Sequence, residues 1–211
     1  MNMGLSKRQT LGEEIANAIS HGVAGLFGIA GLILLLVKSS SSAEVFSSIV
    51  FGFGMILLYV MSTLYHSFRN GSTVKNVFKR FDHIGIYLLI GGTFAPIFIL
   101  VIEKPMGWIL LGVQWAIIIL GTIFKAIKIN KFSKIHLFLF LLLGWSGFTL
   151  IGPLYDVSVP AFYLILAGGI SYTIGVLFYA FKWFKFSHFV WHLFVFIGTL
   201  LHFLAIYLYL Y

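Results

Sequence analysis

Residues 188–211 read HFVWHLFVFIGTLLHFLAIYLYLY. After its first turn this stretch is almost wholly apolar, and it is long enough to cross a bilayer, which takes about 20 such residues. Yet it opens on two histidines, His188 and His192, one helical turn apart. A lipid-soluble helix that carries two imidazoles at one edge calls for a reason, and the rest of the chain supplies candidates.

The composition extends the first observation to the whole protein. Hydrophobic residues make up 60% of the 211 positions and charged residues only 9%. A soluble domain carries about 25% charge, so this chain cannot cover itself with a hydrated surface. It reads as an all-α integral membrane protein. Cysteine is absent, which excludes both a disulfide framework and a thiolate metal site. Any metal must be held by His, Asp, Glu or water.

Seven apolar segments fit the spanning length: 15–37, 43–66, 81–101, 106–127, 134–153, 159–181 and 188–209. The stretches between them are too short for a soluble domain, so residues 1–14 read as a tail and 15–211 as one seven-helix transmembrane bundle. A cleaved signal peptide is a poorer account of the first segment, because its apolar run exceeds the usual core of about 7–15 residues. Glycines at 22, 25, 28 and 31 predict close helix packing, and Pro96 predicts a kink in the third span.

Charge sets the expected orientation. Lys7 and Arg8 precede the first span. Arg69, Lys75, Lys79 and Arg80 follow the second, Lys125, Lys128, Lys131 and Lys134 follow the fourth, and Lys182 and Lys185 follow the sixth. Twelve of the fourteen basic residues thus fall on one side, leaving Lys38 and Lys104 on the other. By the positive-inside rule the N-terminus is cytoplasmic and the C-terminus outside. Topology also accounts for the net charge of +8, which removes a nucleic-acid partner from consideration.

Ionisable groups inside membrane spans are costly and mark functional sites. Here they gather at one depth. Ser62 and His66 lie one turn apart at the end of the second span, Asp82 opens the third, and His188 and His192 open the seventh. Glu14, Asn17 and His21 form an i, i+3, i+7 stripe at the start of the first. Histidines at i and i+4 face the same way and can share a metal. With His66 they make three imidazoles, the ligand set of an open catalytic zinc site. Asp82 could orient or deprotonate a water there, and Ser62 could hydrogen-bond water or substrate. Zinc is the default expectation because imidazoles suit it, although other transition metals accept the same ligands. The plainer alternatives are interfacial histidines, an Asp82–Arg80 surface pair, and a Ser62 hydroxyl bonded to its own helix. His83, rotated about 100° from Asp82, is expected to face elsewhere. His136 is expected at the interface, and mid-span His202 either bonds across the bundle or lines a polar cavity.

The residues EEIANAISHGVAG, the Ser62-x3-His66 pair, FDHIGIY with Asp82, and His188-x3-His192 together resemble the hemolysin III family. That family is the bacterial branch of the progestin and adipoQ receptor group, which contains the adiponectin receptors. The resemblance covers nearly the whole chain. It implies a seven-helix bundle of the bacterial cell membrane with a cytoplasmic N-terminus, and a zinc ion held by His66, His188 and His192. It also implies that Asp82 approaches the metal through water, with Ser62 nearby. Kinship with alkaline ceramidases suggests a hydrolase acting on a lipid amide or ester, its acyl chain held in the apolar interior. A membrane-state sensor with a structural metal and a cytolytic membrane protein, as the family name suggests, are the competing expectations. The long N-terminal domain of the adiponectin receptors is not expected here, so hormone binding is not expected to carry over.

Overall fold

The computed structural model describes residues 9–129 and 131–211, with the side chains of 148–150 left aside. Lys7 and Arg8 lie outside the described residues. The elements are α1 (Leu11–Lys38), α2 (Ser42–Ser67), α3 (Thr73–Leu100), α4 (Met106–Ile127), α5 (Ser133–Gly144), a 3-10 segment (Trp145–Leu150), α6 (Ile151–Val157), α7 (Val159–Phe181) and α8 (Ser187–Tyr209). The described residues contain no strand.

Six helices are each long and apolar enough to cross a membrane: α1, α2, α3, α4, α7 and α8. The fifth expected span is not one rod. Its two arms meet at 47° around the 3-10 segment. Gly144, Gly147 and Gly152 each carry a helix penalty of about 1 kcal/mol, and Pro153 has no N–H to give to the ladder.

Helix starts are set by capping. Thr10 accepts from the Glu13 amide, and the Glu13 carboxylate accepts from the Thr10 amide at 2.8 Å. This reciprocal capping box starts α1 at Leu11, so residues 11–14 belong to the helix rather than to the tail. Ser72 likewise accepts from the Lys75 amide at 3.1 Å. That cap starts α3 at Thr73, two turns before the apolar run begins at Phe81, and puts Lys75 on a helix. Pro96 lies inside α3, near its C-terminal end.

The bundle turns a soluble protein's distribution inside out. Leu26 and Val37 are 69% and 81% exposed, while Glu14 and His66 are 6% and 3%. Apolar side chains face lipid, and the costly polar ones face one another. α1 packs against both α2 and α8, α2 against α3, α3 against α4, and α7 against α8. The glycine stripe of α1 makes the first of these contacts close, as expected. A Cβ at Gly25 would meet Tyr59 and Val60, and one at Gly28 would meet Met55 and Ile56. At the α2–α3 crossing, a Cβ at Gly85 would lie 2.8 Å from the Leu58 Cα. The apolar core that results joins Ala24 and Leu35 of α1, Phe51, Met55 and Tyr59 of α2, and Val195, Phe203 and Ile206 of α8.

Candidate metal centre

The start of α1, the end of α2, the start of α3 and the start of α8 meet at one end of the bundle. There, ligand nitrogens of His66, His188 and His192 all lie within 4.8 Å of one another. The Nε2 atoms of His188 and His192 are 3.2 Å apart, as their one-turn spacing on α8 allows. Two nitrogens bound to one tetrahedral zinc, at about 2.0–2.1 Å each, would be separated by roughly 3.4 Å. The His188–His192 pair therefore has the spacing of two ligands on one zinc-sized ion, and His66 lies near enough to be a third.

The imidazoles are held in place by groups behind them. The Glu14 carboxylate accepts from His66 Nδ1 at 2.7 Å and from the Lys75 ammonium at 3.0 Å. Lys75 also donates to the Tyr65 carbonyl at 2.8 Å. Because Glu14 accepts the Nδ1 proton, His66 presents a bare Nε2, and that buried atom has no hydrogen-bond partner. A carboxylate behind a histidine that bares its second nitrogen is the usual support of a metal ligand. His192 is supported on its other edge, with Nδ1 3.2 Å from the Ser20 hydroxyl. Ser20 in turn donates to the Asn17 carbonyl at 2.9 Å.

Asn17 is fully buried and donates to Gln9 at 3.0 Å, while its Oδ1 is unpartnered. His21 stacks flat on His192, with centroids 3.5 Å apart and planes 7° from parallel. Neither of its ring nitrogens has a partner. Ser62 is fully buried and its hydroxyl is also unpartnered, so it does not bond its own helix. Arg80 donates to the carbonyls of Asn76 and Ala126. Asp82 instead has His83 Nδ1 at 3.5 Å.

A cavity of about 830 Å³ opens beside the cluster and runs inward, walled by Glu14, His21, Asp82, His188 and His192 at this end. Two expectations need correction. His83 does not face elsewhere: it too lines the cavity, and its Nδ1 donates to the Lys79 carbonyl at 2.8 Å. His136 is not interfacial but buried, 2.7 Å from the Tyr87 hydroxyl. For His136 the neighbouring α3, through Tyr87, decides the environment, whereas His83 is held by the Lys79 carbonyl of its own helix. Sequence reasoning also missed Ser20 and Lys75. Ser20 stands one turn past Asn17 on the same stripe. Lys75 is three residues from a Ser cap, and that cap was the available signal.

Fold and site together define a class: a multi-pass helical membrane protein with a three-histidine group, two of its imidazoles buried and one half-buried, beside a large cavity. The haemolysin-III-related family profile matches residues 9–203, and the chain belongs to that family. It is 38% identical to Hemolysin-3 of Bacillus cereus, across 95% of this chain and 93% of that one. It is 36% identical to the Hemolysin-3 homolog of Bacillus subtilis, across 95% of each. A more distant relative is the human Monocyte to macrophage differentiation factor, 28% identical across 97% of this chain and 87% of that one.

Proposed function

We propose that this protein is a zinc-dependent hydrolase of a lipid amide or ester, with its reacting centre at the cytoplasmic face. The observation that carries the reading is the bare, buried Nε2 of His66, which meets two further imidazoles at the end of a cavity of about 830 Å³. An imidazole stripped of its partner in a dry interior is costly, and a ligand that binds it removes the cost.

His66, His188 and His192 would hold the metal. Bound zinc acidifies water and polarises a carbonyl. The chain's own groups do the rest. Glu14 and Ser20 keep His66 and His192 in their ligating orientations. Asp82, on the same cavity wall, takes the proton of the attacking water. It returns that proton to the leaving nitrogen or oxygen, so that water adds across the acyl C–N or C–O bond. The Ser62 hydroxyl hydrogen-bonds the water or the carbonyl, and the apolar length of the cavity takes the acyl chain. The cytoplasmic placement rests on the one-sided distribution of lysine and arginine.

The test is metal content joined to lipidomics. Purified wild type should hold one zinc per chain, and His188→Ala and His192→Ala should lose it. Asp82→Ala should keep the metal while its substrate accumulates as in a deletion strain. Metal-free wild type, or a metal content indifferent to the histidines, ends the proposal. Retained metal with no lipid change in any variant points instead to a structural metal. The names of the Bacillus relatives favour a second reading, a cytolytic membrane protein. Erythrocyte lysis by purified protein, undiminished in His188→Ala, would support it.

A further inference from the structure

His202 stands ten residues beyond His192 on α8, about 15 Å further along the helix axis, and the metal centre does not use it. It is 6% exposed and faces two spaces at once: the large cavity and a smaller one of about 50 Å³. Thr93, Trp145 and Gly169 wall both spaces with it. Its ring reaches α7 through a notch at Gly168, where a Cβ would overlap it. There Nε2 donates to the Ile165 carbonyl at 3.0 Å. A carbonyl only accepts, so Nε2 carries the hydrogen and the neutral ring's Nδ1 is a bare acceptor. That Nδ1 is buried and unpartnered.

Among the described residues around it, the hydroxyls and the Trp145 indole are engaged elsewhere. Thr93 gives its proton to the Leu89 carbonyl at 2.8 Å, and Thr173 gives its proton to Gly169 at 2.8 Å. The Trp145 indole donates to Thr173 at 3.0 Å. Tyr59 and Tyr172 both bond Thr199 Oγ1, at 2.6 and 2.7 Å, and Thr199 lies 3.0 Å from the Val195 carbonyl. These hydroxyls form a closed set, and it leaves out His202 Nδ1. An unmatched buried acceptor costs free energy, and a donor on a ligand in the cavity would recover it.

We propose that His202 is a specificity-determining residue that recognises a hydroxyl on the ligand's acyl chain, so that the cavity prefers a mid-chain hydroxylated lipid over a plain one. The inference rests on reading the cavity as an acyl-chain site. The chain lies along the large cavity with its head at the histidine cluster. Its hydroxyl, about 15 Å inward, donates to His202 Nδ1, and its tail points to the smaller space.

The experiment compares ricinoleic acid, which bears a mid-chain hydroxyl, with oleic acid, which lacks it. Both displace a fluorescent fatty acid from the full chain in lipid nanodiscs, so the readout needs no turnover. Wild type should bind ricinoleic acid about tenfold more tightly, as one recovered hydrogen bond allows. His202→Phe keeps a ring but loses the acceptor, and should bind both acids alike, near the wild-type affinity for oleic acid. His202→Gln restores an acceptor and should recover part of the preference. Equal affinities in wild type overturn the His202 proposal and leave the metal-site reading standing. Failure to bind either acid overturns it together with the acyl-chain reading. A preference that survives in His202→Phe also overturns it.

Discussion

The two ends of the bundle both gather polar groups, buried or half-buried, but they treat them differently. At the end away from the histidines the groups satisfy one another. Ser39 donates to the Leu35 carbonyl at 2.8 Å, Ser48 to the Tyr211 hydroxyl at 2.9 Å, and Tyr211 to the Glu44 carbonyl at 2.9 Å. Burial pushes the Tyr211 phenol up to about 12, so it stays a neutral donor. Lys38 reaches the Tyr207 carbonyl. Among the described residues, only the Ser47 hydroxyl is unmatched in that layer. At the histidine end, His66 Nε2, both nitrogens of His21, Asn17 Oδ1 and Ser62 Oγ have no partner. Natural proteins rarely bury polar atoms unpaired. The saturated end reads as a fastening, the unsaturated end as a site prepared for something else.

The sharpest way to break this comparison is to remove Glu14. Glu14→Ala strands both His66 and a buried Lys75, and breaking a buried pair from one side costs about 3–5 kcal/mol. Thermal unfolding in detergent should show the largest loss of any single variant here, with zinc content falling as well. An unchanged melting temperature would mean that the carboxylate is not the anchor described. Gly85→Ala forces a methyl against the Leu58 backbone and should cost about 1–3 kcal/mol through overpacking. It should leave zinc stoichiometry intact, because it strains the α2–α3 crossing rather than the ligands.

Ser20→Ala removes only the support of His192. Zinc affinity should fall about 10–100-fold with little change in unfolding, measured by chelator competition. Tyr211→Phe at the saturated end should cost about 1 kcal/mol and leave metal affinity untouched. If Tyr211→Phe weakened metal binding as much as Ser20→Ala did, the division of labour between the two ends would fail.

Much of this was legible because membrane energetics are severe. Ionisable residues such as His66, Asp82, His188 and His192 stand out against an apolar background, and their depth follows from position along a span. What stayed hidden depends on rotation and on neighbours. Asp82 and His83 differ by one residue yet share the cavity, their side chains meeting at 3.5 Å. His136 begins its helix beside Lys134 and still sits buried, since Tyr87 of α3 reaches over to it. Lys75 belongs by hydropathy to a loop, and only the Ser72 cap carries it onto a helix where it meets Glu14. The broken fifth span was written in Gly144, Gly147 and Pro153, but hydropathy averages over such local breaks.

The histidine cluster also has an order of assembly. Glu14, His66 and Lys75 lie on the first three helices, so their ion-paired half of the site can form while most of the chain is still being made. His188 and His192 arrive on the last helix, which must insert beside α1 before they can face His66. Until then, Glu14 and Lys75 hold an imidazole with no second imidazole beside it. The centre is therefore closed by the final step of membrane insertion, and a chain that stops short of α8 cannot complete it. Metal uptake would then double as proof that the bundle has been built to its end.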